Sequence, residues 1–73
     1  MITLEEKMDL DEVSAIIDDF SGNEDELHSA LVLAQLVIKK IAQNNEITVE
    51  ELLKYIDKQD PCLAGELSLI YSA

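Results

Sequence analysis

Glu24, Asp25 and His28 stand close enough in the chain to share one face of a helix, a spacing that could present two metal ligands one turn apart. His28 is the only histidine, so a complete site would need a second chain, and a lone imidazole at the start of an acidic helix reads as a surface or boundary residue. Asp18-Asp19-Phe20-Ser21-Gly22-Asn23-Glu24 gathers oxygen ligands around a glycine, as a calcium loop does. With Gly22 as the turn glycine, however, the loop would open at Ile17, which has no carboxylate to offer. Cys62 opens the last predicted helix, where the dipole can activate a thiol. A nucleophile also needs a base, and nothing in the chain places His28 near it, so Cys62 is expected to be a small buried apolar residue. Ser14, Ser29 and Ser68 lack a base for the same reason.

Glu5-Glu6-Lys7-Met8-Asp9 resembles one half of the magnesium site of all-α nucleotide pyrophosphohydrolases, in which carboxylates one turn apart bind the metal. The resemblance covers these five residues. The pattern needs a later Glu-x-x-Asp pair on an adjoining helix, which this chain lacks, so the acids read as a solvated face. A helix-turn-helix DNA reader is set aside on charge: its recognition helix, residues 61–72, would carry Glu66 and no Lys or Arg with which to grip phosphate. No catalytic, metal or cofactor site is expected, and the chain is expected not to be an enzyme.

Charge is the dominant feature. Sixteen Asp and Glu face five Lys and no Arg, a net charge of −11. Such a field repels phosphate backbones and anionic headgroups, so no direct nucleic-acid or membrane partner is expected. Ten of the acids lie within residues 1–26 with Lys7 as the lone base, which concentrates the field in the N-terminal third. The apolar run Leu31–Ile38 is far shorter than the roughly 18–20 residues of a bilayer span. No signal-peptide pattern opens the chain, and the single cysteine fits a reducing compartment; a cytoplasmic location is expected.

The elements that must position these charges are helices. A capping residue followed three places later by Glu can satisfy two orphaned backbone donors. Thr3/Glu6 and Asp9/Glu12 compete to start the first helix, Asn23/Glu26 starts the second and Thr48/Glu51 the third. Asp60-Pro61 opens a fourth, with proline at the first helical position. The predicted spans are 4–20, 24–43, 49–58 and 61–72. In the first, Leu10, Val13, Ile16, Ile17 and Phe20 form the core side, while Glu5, Glu12 and Asp19 recur every seven residues, with Asp11 and Asp18 beside them, as a carboxylate strip.

The second helix is apolar nearly all round. Leu27, Leu31, Ala34, Ile38 and Ile41 make one stripe, and Val32, Leu33, Leu36 and Val37 lie elsewhere on the cylinder. Short neighbours cannot enclose such a helix, so part of it is expected to pack on a second copy or a partner, with Val32, Leu33, Leu36 and Val37 as the self-association residues. Inward residues of the third helix are Val49, Leu52, Leu53 and Ile56, with Ile47 stapled to Leu52; those of the fourth are Leu63, Leu67, Ile70 and Tyr71. The expectation is one all-α domain over residues 1–73, a small bundle of three to four helices completed by homodimerisation.

Function then rests on surfaces. The first expectation is a non-enzymatic acidic module that binds and modulates or inhibits a protein with a basic surface, through Glu5, Asp11, Glu12, Asp18, Asp19, Glu24 and Asp25. In character it resembles the small acidic helical proteins that act as nucleic-acid mimics, antitoxins or phage-encoded inhibitors. The alternative is a structural or chaperone-like subunit that assembles through its apolar second helix, with the acids serving solubility.

Overall fold

Thr3 starts the first helix, and Asp9 rides inside it. The Thr3 hydroxyl accepts the Glu6 N–H at 3.1 Å, and the Glu6 carboxylate accepts the Thr3 N–H at 3.0 Å, closing both halves of a capping box. The structure is a computed structural model and describes residues 2–73. Within it the helices are α1 (Leu4–Asp18), α2 (Glu24–Asn44), α3 (Val49–Gln59) and α4 (Pro61–Ser72), and no strand forms among the described residues. The all-α class expected from the capping signals is therefore what the chain adopts.

Each later start uses its expected cap. The Asn23 side chain accepts the Glu26 N–H at 2.9 Å, Thr48 and Glu51 form a second complete box, and Asp60 accepts the Leu63 N–H at 3.2 Å. Asp60 alone connects α3 to α4, with extended φ and Pro61 behind it, because a residue before proline is driven out of helical geometry. α1 stops two residues short of its expected end, at Asp18 rather than 20. Asp18 and Asp19 place negative charge at the negative end of the helix dipole, and Ser21-Gly22-Asn23 offers no continuation.

α2 closes at Asn44-Asn45. Asn45 caps the helix, and the positive φ, 57°, falls on Glu46. Glu46 N–H reaches the Gln43 carbonyl and Ile47 N–H the Ala42 carbonyl, each at 3.0 Å, which is the Schellman pattern. That pattern turns Ile47 back onto the core cluster before Thr48 opens α3.

α2 and α4 are the central pair: each packs on all three other helices, whereas α1 and α3 do not meet. Leu10, Ile38, Leu52, Ile56 and Leu67 are fully buried between them. Polar ties also cross the bundle. The Gln35 side-chain amide on α2 donates to the Ile70 carbonyl at 3.0 Å and the Ala73 carbonyl at 3.2 Å, satisfying groups that the end of α4 leaves orphaned. Asn45 donates to the Glu6 carboxylate at 3.3 Å, pinning the start of α1 to the α2–α3 turn.

Three expectations are corrected. Ile16 is 52% exposed rather than core, because α1 turns Leu10 and Ser14 inward and leaves Ile16 at its margin. Phe20, beyond the helix end, is only half-buried. Cys62 is exposed rather than buried, since Leu63 and Ala64 are the residues of that turn that enter the core. The buried position that the apolar pattern concealed is Ser14, 3% exposed, whose hydroxyl donates to the Glu66 carboxylate of α4.

Candidate interaction surfaces

The N-terminal acids do not form one strip. At about 100° per residue, Glu5, Glu12 and Asp19 cluster opposite Leu10, whereas Asp11 and Asp18 lie roughly a third of a turn away. Leu4 and Met8, 76% and 60% exposed, fall between the two groups. All seven of the acids read as interaction residues, Glu24 and Asp25 included, are solvent-exposed. Glu24 and Asp25 occupy the first turn of α2, where the dipole favours carboxylates whatever their further use.

Asp11 and Asp18 face α4 across a cleft of about 240 Å³, which Ser14, Asp60, Cys62 and Glu66 also line. Four carboxylates from α1, α4 and the Asp60 junction thus converge, with no cation among the lining residues. The crowding has an electrostatic consequence. The Asp18 carboxyl is pushed above the ordinary aspartate pKa range, chiefly by a hydrogen bond with the Glu66 carboxylate, then by partial desolvation and the negative charges of Glu66 and Asp19. Glu66 meanwhile accepts the Ser14 hydroxyl, so Asp18 and Ser14 converge on one carboxylate. Asp60 and Glu66, far from α1 in sequence, carry no local signal of this meeting. Only the packing of α1 on α4 creates it.

Glu6 behaves in the opposite sense. Its carboxyl is held below the ordinary range, first by the Thr3 N–H and next by the Asn45 amide, because both donors favour the charged form. It is a structural acid committed to the cap, which leaves the resemblance to a magnesium half-site without one of its carboxylates. Among the described residues, no group of three or more His, Cys, Asp or Glu is placed so as to hold a metal ion.

The second surface is apolar. On α2, Val32, Leu33 and Leu36 are 41%, 64% and 55% exposed, while Val37 is half-buried against the core. Leu33 and Val37 join Val13, Ile16 and Ala30 in a shallow groove of about 160 Å³ between α1 and α2. The other face of α2 buries Ala34, Ile38, Ile41 and Ala42. The inference that its short neighbours leave part of this helix uncovered is therefore correct. A further opening of about 340 Å³ beside Ile2, Ile47 and Tyr55 has Lys54 and Lys58 among its lining residues. Its other polar groups are spent internally: Glu51 on Thr48, Asn45 on Glu6 and Ile41, and the Tyr55 hydroxyl on Gln59.

No helix of the described residues is long and apolar enough to cross a membrane. Set against known protein families, curated proteins and solved structures, the chain matches none.

Proposed function

We propose that this chain is a non-enzymatic acidic interaction module that binds and modulates or inhibits a protein with a basic surface. The observation that carries the reading is the like-charge crowding at the C-terminal end of α1. Asp18 and Asp19 sit where the helix dipole favours a cation, and Asp18 is pressed against Glu66 across a cleft lined by two more carboxylates. Folding an acidic surface in this way costs stability. A lysine or arginine side chain of a partner entering the cleft would relieve both penalties, and Glu5 and Glu12 on the adjoining face would steer its approach. The test is a pull-down from source-cell lysate, eluted with rising salt, beside a variant carrying Asp11→Lys and Asp18→Lys. A basic partner that elutes with salt and is lost with the variant supports the reading. A partner indifferent to both removes it.

A second reading is favoured by the exposed apolar face of α2: a structural or chaperone-like subunit, homodimeric through Val32, Leu33 and Leu36, with the acids serving solubility. Leu36→Asp then abolishes assembly while the monomer keeps its helicity. An unchanged native mass on that substitution ends this reading.

A further inference from the structure

The outward face of α2 has a charge pattern that is symmetric about its own midpoint. Asp25 and Glu26 precede the Val32–Leu33 pair by seven residues, and Lys39 and Lys40 follow it by seven. Seven residues are about two helical turns, so both doublets return to nearly the same side as the pair, roughly 10 Å along the axis in either direction. All of these residues are exposed, as are Ser29 and Leu36 between them. The face is thus an apolar centre with an acidic doublet at one end and a basic doublet at the other.

From this geometry we propose that a second copy of the chain covers the face, with the two α2 helices antiparallel about a two-fold axis at Val32 and Leu33. It rests on the self-association reading given above and adds its register. In that register Val32 of one copy lies against Leu33 of the other, and Leu36 lies over the small Ser29. Asp25 and Glu26 meet the partner copy's Lys39 and Lys40 at both ends, with opposite charges facing. A parallel pairing sets lysine doublet on lysine doublet and acid on acid, which like-charge repulsion disfavours. The net charge of −11 opposes any association of copies, so the only arrangement that matches the local charges has the strongest claim on the face.

Sedimentation equilibrium on the full chain, with circular dichroism to confirm helicity, tests the association. The double reversal Asp25→Lys, Glu26→Lys is expected to weaken the dimer by about tenfold or more, as is Lys39→Glu, Lys40→Glu, and combining all four substitutions restores it, because every antiparallel pair is then inverted but intact. Cross-linking reads the register in a Cys62→Ser background. Leu33→Cys, beside the axis, forms a disulfide between copies, and Gln43→Cys, far from it, does not. A native mass of 8.2 kDa at several hundred micromolar overturns the inference together with the self-association reading. A dimer that cross-links through Gln43→Cys, or whose fourfold variant is not restored, overturns the antiparallel register alone.

Discussion

Asp18 is the residue at which charge and fold conflict most directly. The hydrogen bond with Glu66 favours its protonated form, so its acidity is weaker in the folded chain than in the unfolded one. A group whose folded pKa is raised contributes stability that is fully present below the ordinary aspartate value and is lost as pH climbs through the raised one. Lowering the pH through the raised Asp18 value toward the ordinary aspartate range is therefore expected to add to the melting temperature, and Glu66→Gln should flatten that contribution, since a neutral amide can donate to a charged Asp18. Melts followed by circular dichroism across that range check it; parallel pH slopes in both proteins would remove Glu66 as the cause. Glu6 has the opposite linkage. Its depressed pKa supplies stability above the ordinary glutamate range, which is lost at more acid pH as the Thr3 and Asn45 contacts lose their charged acceptor.

At the scale of elements, the caps explain why these helix starts were readable and their ends less so. A cap is a contact between residues three apart in the chain, so Thr3, Asn23, Thr48 and Asp60 announce themselves locally. Endings depend on what comes next in space: Glu46 takes up positive φ because Ile47 must return to the core, at a cost that a glycine would avoid. α4 contains an avoidable weakness of another kind. Gly65 lies on its exposed side, and a methyl group added there meets nothing within 4 Å. Gly65→Ala is expected to stabilise the protein by about 0.5–1 kcal/mol through helix propensity and a less disordered unfolded chain. Urea denaturation measures this, and a loss of stability would mean that the position is covered in solution.

For the whole molecule, the contrast between the two faces of α2 decides how stability is distributed. Ile38 is fully buried and Leu36 is 55% exposed, although both are large aliphatic residues two positions apart. Ile38→Ala is expected to cost about 2–5 kcal/mol at any protein concentration, enough to unfold much of a domain this small. Leu36→Ala should cost appreciable stability only at concentrations where copies associate, because burial there is shared between chains. Chemical denaturation at two widely separated concentrations distinguishes them; equal, concentration-independent losses would mean that Leu36 is buried within its own monomer.

Composition and local spacing are enough to set the helical class, the starts of α2, α3 and α4, the inward positions of α3 and α4, the charge, and the excess of apolar surface on α2. Each of these is a matter of composition, of contacts three or four residues apart, or of periodicity, and none needs a neighbour distant in the chain. Only the packing of the helices on one another brings Asp11 and Asp18 to Asp60 and Glu66, buries Ser14, and leaves Ile16 and Cys62 exposed. Those outcomes depend on the angles at which α1 and α4 pack across a core, and a helix of given periodicity can be rotated by a fraction of a turn without changing its local signal.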